Sequence, residues 1–134
     1  MKNFKTLLVI TLMSSLCLTA QNSDTKKADK QFSRYQFVKA AESYSKLVED
    51  GKGSPYVYSQ LAESYYNVYD TEQAERWYAK ALETSEDSEM IFKYSEMLKA
   101  NGKFDASNQQ MERFANVNPS DNRAIAFRKN PNYL

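Results

Sequence analysis

Residues 54–83, SPYVYSQLAESYYNVYDTEQAERWYAKALE, decide the fold, because they carry the start signals and the apolar stripe of two consecutive helices. Ser54 can cap a helix that has Pro55 at its first position. Asp70 and Gln73 form an acid-x-x-Gln cap for the helix that follows. The apolar positions of that second helix fall on one stripe at helical spacing: Ala74, Trp77, Tyr78, Ala81 and Leu82. The stretch therefore predicts a pair of helices, over 55–68 and 71–84.

The same residue types recur before this pair and after it, each time at a spacing of roughly 34 residues. Small residues recur where two helices must approach closely, and large residues recur where a helix face must fill space. The aligned sets are Ala28 and Ala62; Phe32 and Tyr66; Ala40, Ala74 and Ser107; Tyr44, Tyr78 and Met111; Leu47, Ala81 and Phe114; Tyr65 and Leu98. They predict further helices over 24–34, 37–50, 88–100 and 104–117. A short helix over 121–129 should cover the end of the array with Ile125 and Phe127.

Helix pairs that repeat with this period resemble the tetratricopeptide repeat (TPR) family. We predict an all-α fold, an α-solenoid of about three TPR helix pairs plus a C-terminal capping helix. The predicted repeats lie at about 21–54, 55–87 and 88–118, and the capping helix and tail at 119–134. Gly102 occupies the glycine position of the family pattern in the third repeat, but Tyr35 and Tyr69 occupy it in the first two. We therefore expect wider or tilted turns in the first two repeats.

The composition excludes several classes of function. With 18 Lys plus Arg against 17 Asp plus Glu, the chain has a net charge of only +1 and lacks the clear basic excess that nucleic-acid binding needs. It has no histidine and one cysteine, which excludes zinc sites and Ser-His or Cys-His catalysis. Its three scattered glycines cannot form a phosphate-binding loop. We predict a protein that is not an enzyme, with no cofactor, no metal and no small-molecule substrate.

The first 20 residues have the pattern of a secretory signal peptide, because Lys2 and Lys5 precede an uncharged, mostly apolar run over 6–20. A membrane anchor is one alternative, but the 15 residues of this run would reach about 22 Å as a helix, short of the roughly 30 Å hydrocarbon core. Lipidation at Cys17 is a second alternative, although Leu16 occupies the position where lipoprotein signals carry a small residue. We expect cleavage after residue 20 and a mature protein in the periplasm or at the periplasmic face of the outer membrane. No membrane insertion is expected once the signal is removed.

A narrower resemblance rests on this signal and on two further segments. The aromatic-rich repeats open at Ala28-Asp29-Lys30-Gln31-Phe32, and the chain closes with Asn118-Pro119-Ser120-Asp121 through to Asn130-Pro131-Asn132-Tyr133-Leu134. These segments resemble the amino-terminal part of long envelope proteins of the OmpA family. There a TPR module precedes a WD40-like β-propeller and a peptidoglycan-binding OmpA domain, and some members belong to the type IX secretion and gliding machinery. The resemblance implies a scaffold of the cell envelope, but no cell-wall-binding residue carries over, because none of these 134 residues matches the propeller or the OmpA domain.

In TPR architecture the first helix of each pair lines the concave surface. Helical register places these residues there: Asp29, Phe32, Ser33, Tyr56, Gln60, Glu63, Tyr66, Asn67, Phe92, Lys93 and Glu96. As the partner-binding groove we predict Phe32, Tyr56, Gln60, Glu63, Tyr66, Asn67, Phe92 and Lys93. Rings with polar rims suit a protein or peptide partner. The alternative for the aromatic residues is that they are buried between repeats, as expected for Tyr44, Tyr65, Trp77 and Tyr78. The alternative for Glu63 and Lys93 is that they are solvated surface charges without a specific contact.

The predicted function is an exported, non-catalytic scaffold that binds a protein or peptide in the envelope. Chaperone-binding TPR domains hold a terminal carboxylate with Lys and Asn at positions that correspond here to Asp29 and Glu63, so that clamp is expected to be absent. One alternative is a truncated N-terminal fragment of a peptidoglycan-associated OmpA-family protein, with no independent function. Another is an enzyme that uses paired carboxylates such as Glu63 and Glu96 for glycoside cleavage. An open concave face, however, offers no closed pocket to tune one of the two acids.

Overall fold

The computed structural model describes residues 24–131, and this part of the chain contains seven helices and no strand. The helices are α1 over 24–33, α2 over Phe37–Glu49, α3 over Pro55–Asn67, α4 over Thr71–Ala81, α5 over Ser88–Ala100, α6 over Phe104–Val117 and α7 over Asn122–Lys129. From α2 onward, each helix packs against the next along the chain. The predicted α-solenoid of three helix pairs and a capping helix is confirmed. The predicted signal peptide, Cys17 and the last three residues lie outside the described residues.

The helices begin where the sequence places their caps. The hydroxyl of Ser54 accepts a hydrogen bond from the N–H of Val57 at 3.2 Å, with Pro55 at the first helical position. The carboxylate of Asp70 likewise accepts from the N–H of Gln73 at 3.2 Å. Only α4 differs from its predicted range by more than a residue or so, since it ends at 81 and not at 84. In the polar segment that follows, the hydroxyl of Ser85 accepts a hydrogen bond from the N–H of Asp87 at 3.1 Å, and such local bonds compete with further helical turns.

The turns within the first two repeats are neither wider nor tilted, so that expectation is wrong. Tyr35 and Tyr69 adopt left-handed φ angles of 58° and 57°, close to the 76° of Gly102 in the third repeat. In all three turns the next N–H bonds back to the carbonyl five residues earlier, at 2.9 to 3.0 Å. Tyrosine therefore takes the glycine conformation, at a cost of about 1 to 2 kcal/mol per residue.

The core follows the period of the repeats. Tyr44, Tyr78 and Met111, which occupy the same position in successive repeats, are all buried, and the alanines at 40 and 74 lie buried at close helix contacts. Tyr65 and Trp77 are half-buried and pack against the core clusters. The predicted inter-repeat core is therefore present, and it holds the first helices of consecutive repeats side by side.

Helix α7 covers the end of the array, but with different residues from those expected. Phe127 is buried, as predicted, and so is Ala124. Ile125 is 38% exposed, so its predicted covering role is wrong. In a helix this short, 124 and 127 share one face while 125 points away from it.

Candidate functional site

Three carboxylates lie on the first helices of successive repeats. Asp29 is on α1, Glu63 on α3 and Glu96 on α5, so they recur with the period of the repeats. Side-chain bonds join α1 to α3 and α3 to α5 at these residues. We call the surface formed by α1, α3 and α5 the concave face, after its position in the TPR fold.

The carboxylate of Asp29 accepts hydrogen bonds from hydroxyl groups of its own repeat and of the next one. Tyr44 on α2 donates to its Oδ1 at 2.5 Å, and Tyr56 on α3 donates to the same oxygen at 2.9 Å. The hydroxyl of Thr25, one helical turn earlier, donates to Oδ2 at 2.8 Å. Asp29 thus links α1, α2 and α3 through hydrogen bonds.

Glu63 is bound by a hydroxyl and by a cation. Tyr78 on α4 donates to its Oε1 at 2.8 Å, and the ammonium of Lys93 on α5 lies 2.7 Å from its Oε2. The same ammonium faces the ring of Tyr66, 5.0 Å from the ring centroid. Both oxygens of Glu63 are therefore occupied within the protein.

Glu96 has fewer partners than the other two carboxylates. Tyr66 donates its hydroxyl to Oε2 of Glu96 at 2.9 Å. The third repeat has Met111 where the second has Tyr78, so its second helix brings no hydroxyl to this carboxylate. Within residues 24–131, Glu96 has no other hydrogen bond or ion pair.

The tyrosine hydroxyls on these carboxylates hold their protons strongly. Burial, and then the hydrogen bond to Glu96, raise the pKa of Tyr66 to about 12. Burial and the neighbouring Glu63 raise the pKa of Tyr78 well above its usual range, and burial with Asp29 does the same for the pKa of Tyr44. These groups therefore act as hydrogen-bond donors throughout the physiological range.

A cavity of about 680 Å³ opens beside Glu96, between the end of α3 and the pair α5–α6. Its lining residues are Tyr66, Tyr69, Phe92, Ser95, Glu96, Met97, Lys99, Ala100, Phe104, Ser107, Asn108 and Met111. Tyr69 is 71% exposed and Phe104 61% exposed, so two rings project at this site without covering the core. The volume lies in the range of about 300 to 1,000 Å³ typical of ligand sites.

Five of the predicted groove residues lie on the concave face, two of them exposed and three of them half-buried. Tyr56 is exposed and bonded to the carboxylate of α1, and Glu63 and Lys93 bond each other. Gln60 lies half-exposed on α3, and Asn67 is exposed, with its amide on the backbone carbonyl of residue 63 at 2.7 Å.

The other three predicted groove residues pack mainly within the protein. Phe32 is half-buried, with its ring 5.2 Å from that of Phe37. Phe92 is half-buried against Phe114, at 5.4 Å between ring centroids. Tyr66 is half-buried and bonded to a carboxylate of α5, although its ring and that of Phe92 also line the cavity.

Sequence reasoning missed several lining residues of the cavity. Tyr69, Lys99, Phe104, Asn108 and Met111 were not assigned to the groove. A signal was present for two of them, because Lys99 and Met111 stand where the second repeat has two tyrosine rings.

The described part of the chain offers neither a metal site nor a membrane span. Between residues 24 and 131, no group of three or more acidic, histidine or cysteine side chains is placed to hold a metal ion. None of the helices in the same range combines the length and the hydropathy that a membrane span requires.

Comparison with known proteins supports the fold. No protein-family model matches the chain, and no curated protein matches its sequence significantly. The chain is similar to the NMR structure of the second TPR domain of the human RPAP3 protein in complex with the HSP70 peptide SGPTIEEVD. That similarity has a TM-score of 0.66 at 20% sequence identity, and it covers 81% of this chain and 92% of the other. The fold is that of a TPR domain.

Proposed function

We propose that this protein is a non-catalytic interaction scaffold of the cell envelope, which binds a peptide segment of its partner on the concave face. The observation that carries the proposal is the aromatic cavity beside Glu96. Exposed rings around a cavity with a few polar groups are the usual anchors of a peptide site.

The fold supports a binding role. The human TPR domain that shares it was solved with a peptide bound. In this chain, consecutive first helices lie side by side and present a continuous surface along which an extended peptide or a partner helix can lie.

The concave carboxylates favour binding over catalysis. A glycosidase needs two carboxylates that are free to reach its substrate. Both oxygens of Glu63 already accept bonds, from Tyr78 and Lys93. This arrangement fits a structural role for Glu63 better than a catalytic one.

Envelope localisation is the second part of the proposal, and it rests on the signal pattern over residues 1–20 and on the resemblance to OmpA-family proteins. Intact-mass measurement of the cell-associated protein tests it. We expect a mature chain that begins near Gln21. A retained Met1 would contradict export, and a diacylglycerol adduct at Cys17 would replace periplasmic release with lipoprotein anchoring.

Site-specific photo-crosslinking in intact cells tests the binding face. A benzoylphenylalanine at Gln60, on the concave face, should capture one envelope protein. The matched control at Lys46 on α2, whose side chain is 74% exposed, should not capture that protein. Equal capture at both positions, or capture of cytoplasmic chaperones alone, would contradict the proposal.

A further inference from the structure

Two positions that carry aromatic rings in the second repeat carry none in the third. Tyr66 and Tyr78 lie edge to face, with their ring centroids 6.2 Å apart. One repeat later, their places are taken by Lys99 and Met111. Both of these residues line the cavity in the third repeat.

The second repeat also shows how a cation is held on this face. The ammonium of Lys93 sits between a carboxylate oxygen of Glu63, at 2.7 Å, and the ring of Tyr66, at 5.0 Å. A carboxylate and an aromatic face together are a favourable site for an ammonium or a guanidinium group. The protein therefore contains an internal example of the contact that a basic ligand would make.

The third repeat also presents a carboxylate, Glu96, beside aromatic rings. The guanidinium of Arg123 already lies over the ring of Phe92, 4.2 Å from its centroid, but it pairs with Glu89 and Asp121 and not with Glu96. Glu96 accepts one hydroxyl, from Tyr66, and it lines the cavity together with the rings of Phe92, Tyr69 and Phe104. Among the described residues, no lysine or arginine forms an ion pair with Glu96. Its carboxylate is therefore open to a donor from outside.

We infer that this cavity receives a lysine or arginine side chain from the partner's peptide segment, with the cation on Glu96 and the aliphatic stem against the rings. The inference rests on the proposed function and adds the charge of the ligand to it. The cavity is larger than one side chain, so an apolar neighbour in the peptide can contact Tyr69 and Phe104.

The two charged residues that line the cavity, Glu96 and Lys99, determine which ligand charge binds best. Lys99 lies at the exposed rim, one helical turn beyond Glu96, and makes no ion pair within residues 24–131. The ammonium of Lys99 repels a cation bound in the cavity at longer range, whereas the carboxylate of Glu96 attracts that cation at contact distance. Neutralising Lys99 should therefore strengthen the binding of a basic peptide, and neutralising Glu96 should weaken it. An acidic peptide would respond with the opposite signs.

The experiment compares three blocked, fluorescently labelled peptides that differ at one central residue between two phenylalanines. That residue is arginine, its uncharged analogue citrulline, or glutamate. Fluorescence anisotropy with the full mature chain should show the arginine peptide binding about tenfold more tightly than the citrulline peptide, the effect of one charge-assisted contact. The glutamate peptide should bind more weakly still.

Variants then assign the preference to the cavity. Glu96→Gln should remove the preference for arginine over citrulline, while Lys99→Gln should increase it. Glu96→Gln retains an oxygen that can accept from Tyr66, and circular dichroism should show a native fold. The matched control Glu112→Gln removes the same charge from an exposed position on α6 outside the cavity lining, and it should leave all three affinities unchanged.

Equal affinity for the arginine and citrulline peptides, or a preference for glutamate, would overturn the inference. So would a preference for arginine that survives Glu96→Gln. Crosslinking at Gln60 separates these results from a failure of the proposed function, because a partner captured there would show that the concave face binds, whatever the charge of its ligand.

Discussion

The ammonium of Lys93 on α5 lies 2.7 Å from Oε2 of Glu63 on α3, and this ion pair joins the third repeat to the second. Both side chains are mostly shielded, at 22% and 25% exposure. Tyr78 binds the other oxygen of Glu63, so one carboxylate connects α3, α4 and α5. Neighbouring repeats are thus held together by polar side chains on the concave face as well as by core packing.

Removal of this cation should destabilise the array. Lys93→Met leaves Glu63 partly buried with a hydroxyl as its remaining partner, at an expected cost of about 1 to 3 kcal/mol in the free energy of unfolding. Urea denaturation measures this, and Lys46→Met, which removes an exposed ion pair at 3.8 Å, is the control, with an expected change below about 0.5 kcal/mol. Equal effects of the two substitutions would show that the inter-repeat ion pair contributes nothing specific.

Stability should fall in alkaline solution. Burial and a neighbouring carboxylate raise the pKa of Tyr66 to about 12 and raise the pKa of Tyr78 further, whereas an unfolded tyrosine titrates near about 10. The unfolded chain therefore loses protons that the folded chain keeps, so the stabilisation is complete below about pH 10 and declines as the pH rises above it. Urea midpoints between about pH 8 and pH 11 measure the slope, and Tyr78→Phe should reduce it. A flat profile would contradict the raised pKa values.

The left-handed turns should respond in opposite directions to two substitutions. Tyr69→Gly removes a left-handed penalty of about 1 to 2 kcal/mol, offset by about 0.5 to 1 kcal/mol of glycine entropy, so it should be neutral or stabilising. Gly102→Ala should destabilise by about 1 kcal/mol through backbone strain. No heavy atom lies within 4 Å of a Cβ at Gly102, so a steric clash adds nothing there. Thermal melts check both signs, and destabilisation by Tyr69→Gly would mean that the exposed ring supports the fold.

The capping helix should depend on Phe127 and not on Ile125. Phe127→Ala opens the buried end of the last repeat, at an expected cost of about 3 to 5 kcal/mol. Ile125→Ala removes a partly exposed side chain and should cost less than about 1 kcal/mol. Denaturation and sedimentation measurements on the two variants compare them directly. Similar costs would place both side chains in the same interface.

Much of the fold could be predicted from the sequence because its signals are local or periodic. The caps at Ser54 and Asp70 depend on residues within three positions, and the alanines and tyrosines of the core repeat with the period. The conformation of the turns at Tyr35 and Tyr69 could not be predicted. Tyrosine disfavours left-handed φ angles, but the packing of the flanking helices imposes them at both positions.

The site was less predictable than the fold. The bond between Tyr66 and Glu96 spans 30 residues and depends on how two packed helices are rotated, which no local pattern encodes. Register places Tyr66 and Phe92 on the concave side, but it does not show how far each ring is covered by its neighbours. Lys99 and Met111 line the cavity where the second repeat has tyrosines, but the size of the cavity depends on packing that the sequence does not specify.

The measurement that tests the central claim most directly is the affinity of the doubly substituted Tyr69→Ala, Phe104→Ala protein for the partner captured at Gln60. Both rings are exposed, so the free energy of unfolding should change by no more than about 1 kcal/mol. As anchors of a peptide they should matter strongly, and the affinity should fall at least about tenfold while circular dichroism stays native. An unchanged affinity in a natively folded double variant would contradict the claim that the partner occupies this cavity.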